Sequence, residues 1–293
     1  MRVIKRIATA TGMIFAAALG VAADDTKVGV VAAENFYGDI AQQIGRGRIA
    51  VLSILSNPNQ DPHLFETTSG VVRKVADARI VIFNGANYDP WMQKLLEATP
   101  RSGRTVITVA AIVGKKTGDN PHVWYDPPTM PAVAKALAAA LQEIDPEHKP
   151  AYEMRLQAFL TSLHPLQERI LEMRAKYAGI PITATEPVFG YMANALGLIM
   201  RNERFQMAVM NDTEPAARDL AAFENDLRKG NVKVLLHNKQ VTSNLANRLI
   251  DVARGANVPV VGVTETEPAD TCFADWMLRE LDELEQALQG PPR

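Results

Sequence analysis

Residues Asp145–Gly179 read DPEHKPAYEMRLQAFLTSLHPLQERILEMRAKYAG, and this stretch decides the architecture. Asp145 is a favourable N-cap. Pro146 suits the first helical position, where its fixed φ helps and its missing N–H has no intrahelical partner to lose. Tyr152, Leu156, Phe159, Leu163, Leu166, Ile170, Met173 and Tyr177 recur at alternating intervals of four and three, so they share one helix face. Gly179 supplies the stop. The spacing predicts a helix over 146–179, about 50 Å long at about 1.5 Å per residue, with Pro165 as an interior interruption able to kink it. A coiled-coil seam is the alternative, but a single short stretch favours a stripe packed on the chain's own flanks.

Both flanks of this strut alternate short apolar runs with helical spacing. Before it, Val28–Ala32, Ala50–Leu55, Ile80–Phe83 and Thr105–Val109 read as strands, with helical patterns at Ala41–Ile44, Val71–Ala76 and Trp91–Leu96. After it, Ile182–Ala184, Gln206–Met210, Val232–Leu236 and Val258–Val263 read as strands, with helices at Tyr191–Leu196, Ala216–Leu227, Ser243–Arg254 and Ala274–Leu288. Such alternation predicts parallel sheets covered by helices. The expected fold class is α/β: two lobes, each a mainly parallel sheet flanked by helices, joined by one long α-helix. The expected boundaries are 24–145 for the first lobe, 146–179 for the linking helix and 180–293 for the second lobe.

The amino terminus has a different character. Arg2, Lys5 and Arg6 precede an uncharged run from Ile7 to Ala23 that ends in Val21-Ala22-Ala23 before Asp24-Asp25. A basic segment, an apolar segment and a small-residue cleavage site in that order are a secretory signal peptide, here 1–23. The run is short and rich in Ala, Gly and Thr for a bilayer span. No Cys stands at the cleavage site to carry a lipid. The expectation is export to the periplasm as a soluble monomer. Cys272 is the only cysteine of the 293 residues, which excludes an internal disulfide and a Cys-rich metal site. With a formal net charge of −2 and no basic block, nucleic acid is excluded as a partner.

Two short passages resemble each other: Asp61-Pro62-His63-Leu64-Phe65 and Asn120-Pro121-His122-Val123-Trp124. In each, proline stiffens the turn that launches the imidazole, and an apolar pair follows to anchor it. Both fall at a strand-to-helix connection, the side of an α/β sheet where ligands bind. Either His alone reads as a structural loop residue, whereas the repeated context favours a paired role. Asn84 and His237 each end a predicted strand on the cleft side and are candidates to support the site from behind. His148 and His164, on the strut, read as surface or packing residues, and Trp91 and Trp124 as core.

Together with Glu34-Asn35-Phe36-Tyr37-Gly38-Asp39, Asn84-Gly85, Asp126-Pro127, Glu186-Pro187-Val188-Phe189-Gly190-Tyr191 and Val263-Thr264-Glu265-Thr266, these passages give the mature chain a family likeness. It resembles the metal-binding substrate-binding proteins of ABC importers for zinc and manganese, whose two lobes are joined by one rigid helix. The resemblance implies one divalent ion, Zn2+ or Mn2+, held between the lobes and handed to a membrane permease. It implies four ligands: His63, His122, Glu186 and Glu265. The last stands where the family usually has Asp, and its longer side chain leaves Glu267, Asp270 or water as alternatives. Many zinc carriers of the family have a long His-rich loop before the second Pro-His passage; here only Lys115-Lys116-Thr117-Gly118-Asp119 occupies that place.

The implied ligand set is chemically coherent: two neutral imidazoles and two carboxylates leave a divalent ion with no net buried charge. Two carboxylates tilt the site towards harder ions, Mn(II) or Fe(II), with manganese favoured, although Zn(II) binds nearly any such set more tightly than Mn(II). A zinc-dependent hydrolase is the alternative class, since two His and a Glu can hold a catalytic zinc. No His-Glu-x-x-His, nucleophile elbow or Ser-His-Asp pattern supports it, so no enzymatic activity is expected. An adhesin-like protein with a structural metal is the third reading.

Overall fold

In a computed structural model, which describes residues 27–57, 62, 65–241 and 243–290, the chain forms two four-stranded parallel sheets. The predicted signal peptide and His63 lie outside the described residues. The first sheet comes from β1 (Val28–Glu34), α1 (Asn35–Gly45), β2 (Ile49–Leu55), α2 (Ser69–Asp77), β3 (Ile80–Phe83), α3 (Pro90–Ala98), β4 (Thr105–Thr108), α4 (Val109–Ile112) and α5 (Thr129–Ile144). Helices α6 (Lys149–Ser162) and α7 (His164–Tyr177) follow. The second sheet comes from β5 (Pro181–Ala184), α8 (Gly190–Ala195), β6 (Ile199–Arg201), α9 (Glu203–Met210), α10 (Ala217–Arg228), β7 (Leu235–Asn238), α11 (Asn244–Gly255), β8 (Val260–Val263) and α12 (Phe273–Gln289).

Both sheets have the same strand order, β2-β1-β3-β4 and β6-β5-β7-β8. In each, the order reverses beside the first strand, which opens a crevice at the carboxyl ends of the strands. Strand alternation shows why both faces are covered. In β1, Val30 and Ala32 join one apolar cluster while Val31 and Ala33 join another. The first of these clusters is shared by the whole molecule: it runs from Ile80 and Leu137 through Phe159 and Leu166 to Leu236 and Leu284. The outer faces have private clusters, around Val75 and Met92 in the first lobe and around Phe223 and Leu249 in the second. Trp124 and Tyr125 of the first lobe pack on Phe36, Phe189 and Trp276, ring centroids 4.9 to 5.9 Å apart, so the lobes meet through aromatic packing as well as through the strut.

The strut itself is two helices. Pro165 lacks the N–H that would bond to Thr161, and the chain is reset at Leu163, which links α6 to α7 with φ −84° and ψ −8°. Leu156 and Phe159 carry α6 against α1 and α5, whereas α7 lies against α12 of the second lobe. Two further elements differ from the sequence reading. Gln206–Met210 is part of helix α9 rather than a strand, and the edge strand beside β5 is Ile199–Arg201. A short apolar run such as FQMAVM does not distinguish the two states by periodicity. Here Asn202 takes a left-handed φ of 62° and starts a helix whose Phe205 and Gln206 are buried. Helix α5, which apolar alternation alone leaves unassigned, packs against both α1 and α6.

Candidate metal centre

His122 follows a turn closed by its own neighbour. Its backbone N–H and its Nδ1 both lie on Asn120 Oδ1, at 3.1 and 2.7 Å. Asn120 is oriented by its other end, because Nδ2 donates to Pro187 O at 2.7 Å and a carbonyl can only accept. Oδ1 therefore faces the ring, Nδ1 carries the proton, and Nε2 keeps a lone pair. That Nε2 faces Glu265 Oε2 at 3.5 Å. Tyr88 and Trp124 form the wall, with ring centroids 5.9 and 5.2 Å from the imidazole, and His122 is only 1% exposed.

Behind the turn lies a buried polar layer. Asn84 Nδ2 donates to Pro121 O at 2.8 Å, and Asn84 Oδ1 accepts from Tyr37 at 2.7 Å. Asn84 thus supports the peptide that carries His122, as its position at the end of β3 suggests, rather than the ring itself. Asp89 accepts from the N–H groups of Asn84 and Gly85 at 2.6 and 2.8 Å. Burial pushes the Asp89 carboxyl up to about 6, against those stabilising donors. Glu34, fully buried beside it, is driven well above the usual carboxylate range by burial and then by the charge of Asp89. Of the pair, Glu34 is the carboxyl whose neutral form burial favours more strongly.

The second lobe offers carboxylates. Glu186 follows β5 and Glu265 follows β8, and both are buried. Asn238, the last residue of β7, stands between them: Nδ2 donates to Glu186 Oε2 at 3.0 Å and also to Glu265 Oε1. Asn238 Oδ1 accepts from Gln240 N at 3.0 Å, and Gln240 Oε1 in turn accepts from the N–H groups of Glu265 and Thr266. Two side-chain amides thereby set both the carboxyl and the backbone of the Glu265 loop. The alternatives to Glu265 point elsewhere. Glu267 exchanges two backbone hydrogen bonds with Asn35 of the first lobe, and burial together with Asp39 pushes its carboxyl up to about 8. Asp270 sits exposed in a turn at φ 60°.

His237 is not part of this cluster. It shares a strand face with Leu235, in the private outer layer of the second lobe, while Asn238 shares a face with Leu236. Burial lowers the His237 imidazole pKa, followed by the charges of Lys239 and Arg254. The sequence-predicted residues that come together are His122, Glu186 and Glu265. Among the described residues, no group of three His, Cys, Asp or Glu side chains is tight enough to hold an ion alone. Asn120, Asn238 and Gln240 are the functional residues that the reading of His and carboxylates misses. Asn120 stood inside the quoted Pro-His passage, and Asn238 was one alternation step from His237.

A cavity of about 380 Å³ opens beside the cluster. Pro62, Tyr88, Asp119 and Pro121 of the first lobe line one side, and Met210 and Asp212 of the second line the other. It lies along the seam between the lobes and reaches Tyr88, one wall of the His122 ring.

The family model described as the zinc-uptake complex component A, periplasmic, matches residues 30–287. The manganese ABC transporter substrate-binding lipoprotein PsaA of Streptococcus mitis is 25% identical, with 91% of each chain covered. The manganese-binding lipoprotein MntA of Bacillus subtilis is 21% identical over 78% of this chain and 77% of its own. Among solved structures, the periplasmic zinc-binding protein TroA of Treponema pallidum superimposes with a TM-score of 0.76 at 19% identity, over 90% of this chain and 99% of that one, which is a likeness of fold.

Proposed function

The chain belongs to the family of the periplasmic zinc-uptake component A, and we propose that it carries one Zn2+ or Mn2+ ion held by His63, His122, Glu186 and Glu265. It is a metal-binding solute-binding protein of an ABC importer and not an enzyme. Its partner is a membrane permease and its ligand a divalent metal. In this reading residues 24–145 and 180–293 are the two lobes and 146–179 the strut between them. Segment 1–23 directs export and is removed, leaving a soluble monomer in the periplasm. No helix among the described residues is long and apolar enough to cross a membrane.

One observation carries the ligand assignment: the free lone pair of a fully buried imidazole from one lobe points at a buried carboxylate from the other, 3.5 Å away. Asn238 donates to both Glu186 and Glu265. A divalent cation between the lobes would add favourable charge to these two buried carboxylates. His63 completes the set on the strength of the paired Pro-His passages. The carboxylate-rich set favours Mn(II) as cargo, in keeping with relatives named for manganese, although Zn(II) binds such donors more tightly in vitro. All four ligands must be deprotonated to bind, so affinity falls as pH drops.

Metal analysis of protein purified from the periplasm tests this reading, alongside His122→Ala and Glu186→Ala. One ion per wild-type chain and its loss from both variants are expected. Full stoichiometry and affinity in both variants contradict the ligand assignment.

A further inference from the structure

Glu280 lies on α12 and is buried among polar partners from both lobes. Its Oε1 accepts from Thr264 N at 3.1 Å and from Trp276 Nε1 at 3.0 Å. Its Oε2 lies 2.7 Å from the hydroxyl of Tyr125, three residues after His122 in the first lobe. The same hydroxyl lies 2.7 Å from Thr264 O. Both are full-strength O–H···O lengths. A tyrosine hydroxyl has one proton, and a backbone carbonyl has none. If Tyr125 donates to Thr264 O, the proton in the second contact has to come from Glu280.

We propose that Glu280 is a positioning residue that holds a proton: its neutral carboxyl donates to Tyr125 and accepts from Thr264 N, and so ties the first lobe to the loop that presents Glu265. In that state every polar atom of the triad is satisfied. Tyr125 donates to Thr264 O, Glu280 donates to Tyr125, and Thr264, the residue before Glu265, is gripped at both its N–H and its carbonyl. With Glu280 ionised, two acceptors compete for one tyrosine proton, and the hold on Thr264 loosens. The latch differs in kind from Asn238 and Gln240, because it crosses between the lobes and is gated by a proton.

The surroundings agree with a neutral acid. Burial pushes the Glu280 carboxyl up to about 7, opposed by its hydrogen bonds and by Lys239. Lys239 follows β7 and is shared with Glu283, 3.8 Å away on the exposed side of α12. Among the described residues of the first lobe, Glu280 meets the Tyr125 hydroxyl, which burial holds well above its usual range. Glu265, beyond Thr264, adds negative charge on the same side. The sign follows from the raised value. The proton-linked hold is fully present below the ordinary glutamate range and is lost as pH rises through about 7.

The inference rests on the proposed metal site for its consequence but not for its existence, so the test has two readouts. The first is thermal unfolding of the metal-free full chain between pH 5 and 8, for wild type, Glu280→Gln, Glu280→Leu and Tyr125→Phe. Gln keeps the donor and the acceptor but cannot ionise. The expected result is that Glu280→Gln matches wild type at pH 5 and exceeds it by a few degrees at pH 8, while Glu280→Leu is the less stable at both. The second is Mn2+ dissociation into excess chelator at pH 8. Glu280→Gln should release the ion no faster than wild type, and Tyr125→Phe about tenfold faster, the loss of one buried hydrogen bond. If Glu280→Gln is as destabilised as Glu280→Leu at every pH, the ionised form is the working one and the proposal is overturned. A failure of the metal reading shows up separately, as wild-type chain that binds neither Mn2+ nor Zn2+, and the unfolding comparison still decides the latch.

Discussion

The two halves of the candidate centre are built by different means. The first lobe delivers an imidazole from a proline-stiffened turn, walled by Tyr88 and Trp124 and fixed in one tautomer by Asn120. The second lobe delivers carboxylates at the ends of β5 and β8, clasped by the amides of Asn238 and Gln240. A neutral ring needs only orientation, so apolar walls and a single acceptor suffice. Two adjacent carboxylates repel one another and must be desolvated together, so they need donors before any ion arrives. Asn120 joins the halves, since it holds His122 with one end and the carbonyl beside Glu186 with the other.

If this division of labour is right, removal of a ligand from either half has the largest effect. His122→Ala and Glu186→Ala should each lower metal affinity about a hundredfold or more, beyond the loss typical of supporting residues, as measured by competition with a chelator. A result in which one half is dispensable breaks the comparison. Next in size is the joint between them. Asn120→Ala should weaken binding by about 10- to 100-fold, and Asn120→Asp should recover part of that, because it still accepts from Nδ1 but repels the Pro187 carbonyl. Equal defects in the two variants would shift Asn120's role from tautomer control to contact between lobes.

Asn238 sharpens the comparison from the other side. Asn238→Ala should destabilise the metal-free protein by about 1–3 kcal/mol in denaturant unfolding, the range for stranding buried acceptors, and a saturating divalent ion should offset part of the loss. A defect that is the same with and without metal would make Asn238 a packing residue. The smallest effect concerns the layer behind His122. The folded-state pKa values of Glu34 and Asp89 are raised, so their contribution is present at low pH and lost as pH rises through about 6. Glu34→Gln is neutral at every pH and cannot titrate beside Asp89. It should match wild type at pH 5 and lose about 1 kcal/mol less stability by pH 8, the equivalent of roughly one pKa unit. Equal losses would mean that Glu34 does not titrate with Asp89.

The same contrast governs what could be read from sequence. Strand-helix alternation and the strut were legible because periods of two and 3.6 survive in any α/β lobe with buried faces. The turn that carries His122 was legible because its proline and its ring are contiguous in the chain. The carboxylate half was harder, since Glu186 and Glu265 meet through Asn238, 52 and 27 positions away. Choosing His237 instead is a one-residue shift on β7, which moves a side chain to the opposite face. The reading of Gln206–Met210 as a strand failed for a related reason: five residues are too few to reveal their period. Pro165 did mark the break in the strut, and the structure adds that α6 belongs to one lobe's packing and α7 to the other's.

The most direct test of the central claim is an anomalous-scattering map of Mn2+- or Zn2+-loaded crystals. A single peak is expected at coordination distance, about 2.0–2.2 Å, from His122 Nε2 and from carboxylate oxygens of both Glu186 and Glu265. A peak elsewhere on the chain, or one that touches ligands of a single lobe, would contradict it.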